Sequence, residues 1–187
     1  MASTSHGGYL FRLEDLTMAR LLALAKEALQ LEQESSADCS VRLCLVHPGK
    51  IVGVCYEAPF TRQADPGRWY LTHHALARLL SRELSSAVHV YVLDPDELEE
   101  VTSYAKGRRV GGERLEYADI ELPEEDDGGA AFELEKESWP VGHLARILGV
   151  ERELLEGIPR LRAVALSFDE GALATSSWEV LLPPYPR

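Results

Sequence analysis

Apolar positions recur with two periods along this chain, and the changes of period mark out its elements. Met18, Leu21, Leu22, Ala25 and Leu29 fall at the spacing of one helical face. Asp15 is placed to cap that helix, which should end near Glu34, where Ser35-Ser36-Ala37-Asp38 has loop composition. Ahead of it, Tyr9 to Leu13 predicts a short edge strand. Ser40 to His47 and Lys50 to Tyr56 alternate or run apolar, and His47-Pro48-Gly49-Lys50 supplies the Pro and Gly of a type II turn. A hairpin follows from that pattern.

Ala58 to Arg68, with Pro59, Pro66 and Gly67, reads as loop. Thr72 then predicts the cap of a second helix reaching about Leu84, with His73, Leu76, Leu80 and Leu84 on one face. Val88 to Leu93 is β-branched and apolar, the pattern of a central strand, and Asp94-Pro95-Asp96 ends it. Val101 to Ala105 and Arg114 to Ile120 predict two more strands. Lys106-Gly107-Arg108-Arg109 lies between them as a turn, and Gly111-Gly112 as a bulge or a wider loop. Val141 to Leu148 and Arg152 to Glu156 predict short helices parted at Gly149. Arg162 to Phe168 and Trp178 to Leu182 predict strands, and Pro183-Pro184-Tyr185-Pro186 cannot continue a sheet.

Hairpins and helices are intermixed without regular βαβ alternation. The pattern predicts an α+β fold, a mostly antiparallel sheet with two main helices covering one face. A core domain over 1–122, an acidic loop over 123–138 and a C-terminal helical hairpin with strands over 139–187, packed on the core, complete the expected organisation. The longest strongly apolar run, Leu21 to Ala25, is too short to cross a bilayer. Met1 to Gly8 has no basic stretch leading into an apolar one, so no signal peptide is expected. Three cysteines lack the density of a disulfide framework, and a reducing cytoplasm is the expected compartment.

Charge changes the picture most. Between Asp94 and Glu137 the chain carries sixteen acids and five bases, which is eleven of its twelve net negative charges. Such a field repels nucleic acid and anionic membrane and attracts basic partners. Acidic runs also serve simply as solvated faces. Here, however, Tyr104, Tyr117, Phe132 and Trp139 are interleaved with the charges, and aromatics near a charged rim are what protein interfaces use. The candidate partner-binding residues are therefore Asp94, Asp96, Glu97, Glu99, Glu100, Tyr104, Tyr117, Glu124, Glu125, Asp126, Asp127 and Trp139.

Other constellations carry less. Cys39, Cys44, His47 and Cys55 are zinc-ligand types, but on a strand Cys44 and His47 point to opposite faces. No metal, cofactor or catalytic set is expected. His73 shares the apolar helix face, and His74 points elsewhere. A small hydrolase or transferase would have to use one of them with a nearby carboxylate, and Glu83 is more than two turns away. Neither a nucleophile elbow nor a phosphate loop is present. Ala145, Gly149, Val150, Leu155 and Ile158 fall at helix-turn-helix spacing. The would-be reading segment, Glu151 to Glu156, bears three acids and one Arg, which is wrong for phosphates. A packed αα-hairpin fits better.

The segment from His74 to Tyr117 contains Leu80-Ser81-Arg82-Glu83-Leu84, Val88-His89-Val90-Tyr91-Val92-Leu93-Asp94, Tyr104-Ala105-Lys106-Gly107-Arg108 and Arg114-Leu115-Glu116-Tyr117. It resembles small uncharacterised bacterial immunity-type proteins of interbacterial toxin systems. The resemblance implies a cytoplasmic binding protein with no catalytic residues to carry over. The expected activity is non-catalytic binding of another protein, a basic toxin domain above all, through the acidic surface. A secretion chaperone or adaptor for a secreted client is the other binding version. No nucleic acid or membrane is expected as partner.

Overall fold

The computed structural model describes residues 5–37, 39–47, 51–57, 73–120 and 135–168. The predicted turn residues Pro48 to Lys50, the Thr72 cap, the loop acids Glu124, Glu125, Asp126 and Asp127, and the Trp178 to Leu182 strand lie outside them.

The fold is α+β. Its strands are β1 (His6–Arg12), β2 (Ser40–His47), β3 (Ile51–Glu57), β4 (Val88–Asp94), β5 (Leu98–Ala105), β6 (Arg108–Glu116) and β7 (Ala163–Ser167). They form one seven-stranded sheet in the order β6-β5-β4-β1-β3-β2-β7, with every described pairing antiparallel. The helices are α1 (Met18–Leu31), α2 (Ala75–Glu83), α3 (Pro140–Leu148) and α4 (Arg152–Glu156), with 3₁₀ turns at Tyr117–Asp119 and Ile158–Arg160.

Alternation along each strand divides the apolar side chains between two faces. Tyr9, Phe11, Val41, Leu43, Val54, Val88, Val90 and Val92 pack with Leu21, Leu24, Leu29, Leu76 and Leu80 of α1 and α2. Leu10, Cys44, Val46, Tyr91, Leu93 and Val101 pack on the other side with Val141, Leu144, Leu155 and Ile158. Helices therefore cover both faces. The expectation of one covered face missed the second layer because α3 and α4 are short, and their role shows only when the strands are seen to be apolar on both sides.

Strand β1 corrects a second expectation. It is the fourth of seven strands, between β3 and β4, and not an edge. The reason is in its own sequence, where Tyr9, Leu10 and Phe11 are consecutive and all buried, as only a strand covered on both faces allows.

Local signals set the ends. Thr17, not Asp15, caps α1, its hydroxyl accepting from Arg20 N at 3.2 Å. The helix stops at Leu31, earlier than Glu34, because Gln33 turns left-handed at φ 62° and Glu34 N returns to Leu29 O at 2.8 Å. The capping residue of α2 is His74, whose side chain makes no capping bond. Glu32 reaches across from the end of α1 and accepts from Ala75 N at 2.9 Å.

The β5–β6 turn is tighter than the sequence pattern predicts. Lys106 and Gly107, at φ 52° and 76°, make the whole of it, which is the two-residue geometry that matches strand twist. Arg108 and Arg109 already belong to β6, and so do Gly111 and Gly112. The register shifts between Ser103 and Tyr104, which leaves Val110 as the extra residue of a bulge. Strand β5 begins at Leu98, earlier than Val101, and β6 gives way to a 3₁₀ turn after Glu116 instead of running to Ile120.

Candidate functional site

Beneath the predicted acidic surface lies a buried charge. Glu99 is at 0% exposure on β5, and its carboxylate is shared by Arg152 of α4. The Arg152 Nη2 group donates to Glu99 Oε1, and Nη1 reaches Oε2 at 3.3 Å and Lys136 O at 2.7 Å. Arg152 Nε donates to Glu156 Oε1 at 2.7 Å. Glu99 also accepts from Tyr117 Oη at 3.0 Å and from Val141 N, in the first turn of α3, at 2.9 Å. The guanidinium stands 5.7 Å from the Trp139 ring centroid, and Trp139 packs on Tyr117 at 5.4 Å between centroids.

The carboxylates around Arg152 hold its guanidinium charged. Burial works against the Arg152 charge, but the hydrogen bonds and charge of Glu99, joined by Glu156, hold its pKa above the ordinary value. Burial, and then the negative Glu99 beside it, raise the Tyr117 hydroxyl so that it stays protonated and donates. The network ties β5, the strand next to the β6 edge, to the layer of α3 and α4. Gly142 belongs to the same joint. A Cβ on it would lie 2.5 Å from Lys136 O and 2.6 Å from Glu137 O, so only glycine lets this segment cross α3 so closely.

A cleft of about 310 Å³ opens above the network, lined by Leu93, Pro95, Tyr117, Ile120, Lys136, Trp139, Arg152 and Glu156. At its rim the β4–β5 turn presents acids. Asp94 is half-buried and accepts from Asp96 N at 3.0 Å, and Asp96 and Glu97 are exposed. Glu97 O accepts from Tyr117 N at 2.9 Å, which fixes the turn to the end of β6. Because Leu98 pairs with Glu116, the exposed Glu116 and Asp119 join the same corner. Glu100, partly buried, is bound to Arg114 at 3.0 Å, and Arg114 to Glu116 at 2.7 Å.

The predicted partner-binding residues thus separate. Asp94, Asp96, Glu97 and Tyr117 come together at the turn, while Glu100 shares the strand face of Leu98 and is tied to Arg114 of the edge strand. Glu99 and Trp139 sit underneath as buried support, and their side chains are not surface groups. Tyr104 is buried on the other face among the α1–α2 cluster, where its hydroxyl lies 2.7 Å from His74 Nδ1. Sequence reasoning missed Arg152, Glu156 and Lys136 as parts of this joint. The signal was available, since the lone cation of an otherwise acidic short helix stands four residues before an acid.

The remaining candidates find structural settings. His73 lies 3.2 Å from Glu34, and its carbonyl accepts from Tyr9 Oη at 2.8 Å. Cys39 packs with the α1–α2 cluster and Cys44 with the α3–α4 cluster, and burial pushes both thiols up to about 11. Among the described residues no group of three or more His, Cys, Asp or Glu is placed to hold a metal ion. Gly149 closes α3 at φ 73° as its spacing implies. Leu155 is fully buried, and Arg152 of the would-be reading helix points into the protein. No described helix is long and apolar enough to cross a membrane.

Fold and corner together describe an α+β protein whose sheet carries an acidic rim above an aromatic cleft. No family model, no curated protein and no solved structure matches the chain.

Proposed function

We propose that the protein binds another protein through this acidic corner, as an immunity-type inhibitor of a basic toxin would. One observation carries the reading. Asp94, Asp96, Glu97, Glu116 and Asp119 converge on one corner whose backbone is fixed by the Tyr117–Glu97 hydrogen bond and footed on the Glu99–Arg152 pair. Acids on a fixed backbone steer a basic partner and lose little backbone ordering entropy on docking. The aromatic cleft beside them offers apolar area that rim charges alone lack. A cytoplasmic location belongs to the same proposal.

The test uses the partner recovered from the native host and reversal of Asp96, Glu97, Glu116 and Asp119 to Lys. Association should slow at low salt, and the difference should shrink as the screening length falls below ~10 Å above 0.1 M salt. Equal on-rates for both proteins across the salt series would remove the corner from the interface.

A further inference from the structure

A second cleft, also about 310 Å³, lies on the α3–α4 face toward the opposite half of the sheet. Its origin is a gap in coverage among the described residues. Where α3 and α4 cross the sheet, Val141, Leu144 and Leu155 fill the surface. Among the described residues, that cover ends past Ile158 and Pro159, while the sheet continues through β3 and β2. The side chains there are small. Gly53 faces Cys44, and Arg42 is flanked by Cys55 on one strand and Ala165 on the other. His6 holds Leu155 O at 3.2 Å and meets Tyr91 edge-on at 5.7 Å, so these two rings form the opposite wall.

Arg42 is the informative group. Its side chain is three-quarters buried, at 25% exposure, and its ion pair with Glu57 is long, at 3.8 Å. Among the described residues it makes no side-chain hydrogen bond. A guanidinium withdrawn from water gains most from a planar anion that its fork can grip at two points. Around it the cleft is mainly apolar, and its volume sits at the small end of the ~300–1,000 Å³ typical of ligand pockets.

We propose that this cleft is a binding site for a small apolar carboxylic acid. The tail lies on Gly53, Cys44, Tyr91 and Ile158, and the carboxylate takes the Arg42 guanidinium from Glu57. The site is separate from the acidic corner and does not depend on the protein-binding reading.

The experiment uses octanoate, octanol and a short peptide with a leucine C-terminus as probes of the full chain. Affinity is read by calorimetry. Location is read from the rate of Cys55 alkylation by N-ethylmaleimide, followed by peptide mass, since Cys55 lines the cleft and Cys39 and Cys44 are buried. Octanoate should bind and slow alkylation of Cys55, and octanol should bind at least about tenfold more weakly, the worth of a hydrogen bond to a charged group. Arg42→Gln should lose about tenfold or more in octanoate affinity. Glu57→Gln, which removes the competing carboxylate, should keep or strengthen it. If Arg42→Gln unfolds early, Arg42→Lys serves instead, keeping the charge without the fork and binding between the two. Equal affinity for octanol and octanoate, an unaffected Arg42 variant, or Cys55 left unprotected would overturn the proposal. Protection by the peptide but not by octanoate would also overturn it, in favour of a protein chain terminus.

Discussion

Removing one side of the Glu99–Arg152 pair should cost far more than removing both. The side chains are 0% and 4% exposed, so the Arg152 variant leaves Glu99 without a counter-charge and the Glu99 variant leaves Arg152 with only the partly exposed Glu156. For such pairs the cost is ~3–5 kcal/mol. Arg152→Met should fall near the low end, because Glu99 keeps the Val141 amide and the Tyr117 hydroxyl. Glu99→Leu should fall near the high end, since it also deprives those two donors of their acceptor, at ~1–3 kcal/mol for a buried unmet group. In the double variant no charge is stranded, and the unmet donors remain the main loss. Its cost should be ~2–4 kcal/mol, well below the sum of the singles, so the coupling should be ~3 kcal/mol or more. Urea unfolding followed by circular dichroism gives all four corners of the cycle, within the ~5–15 kcal/mol that a domain of this size offers. Coupling below ~0.5 kcal/mol, the additivity expected of independent sites, would refute the account of Glu99 and Arg152 as one electrostatic unit.

Two further outcomes concern other parts of the sheet. Burial, with the Arg12 charge nearby, lowers the His89 pKa to about 4 from 6.5; the unfolded chain then binds more protons between those values, so stability falls as pH drops through this window, by ~3 kcal/mol at pH 4. Urea midpoints across pH 4–7 should show this slope, and His89→Gln, which can still bond Ser103, should flatten it; an unchanged slope would place the pH sensitivity elsewhere. Gly142→Ala should lower the thermal midpoint by the equivalent of ~1–3 kcal/mol, the range for overpacking, because the added methyl meets Lys136 and Glu137 carbonyls; a melt matching the wild type would mean that the 135–139 segment shifts freely away from α3.

The sequence made the hairpins and helices legible because period and punctuation are local. Val88 to Leu93 reads as a central strand from composition, and Gly149 as a helix end from position. Which strands neighbour one another is not a local property. Tyr9 to Leu13 predicts an edge because the apolar stretch is short, whereas the three consecutive buried residues Tyr9, Leu10 and Phe11 require cover on both faces. The acidic corner was half-legible. Asp96 and Glu97 stood out as charges in a turn, but Glu99 looked the same in the string and differs only through Arg152, far along the chain. Tyr104 was grouped with the acids by proximity in sequence, whereas alternation along β5 sends it to the opposite face from Glu99 and Val101.

The central position of β1 has a consequence for how the molecule must assemble. Tyr9 pairs with Val54 on one side and with Val90 on the other. The strand that closes the middle of the sheet therefore waits for partners from well-separated parts of the chain, and each union must overcome the entropy of a long loop. The β2–β3 and β4–β5–β6 hairpins can form early from neighbouring sequence, as two half-sheets with apolar edges. Only β1 joins them. Folding should be slow for a chain of this length, and a truncated molecule lacking β1 would present two unpaired edges at once, at β3 and β4, the arrangement most prone to pair with other chains.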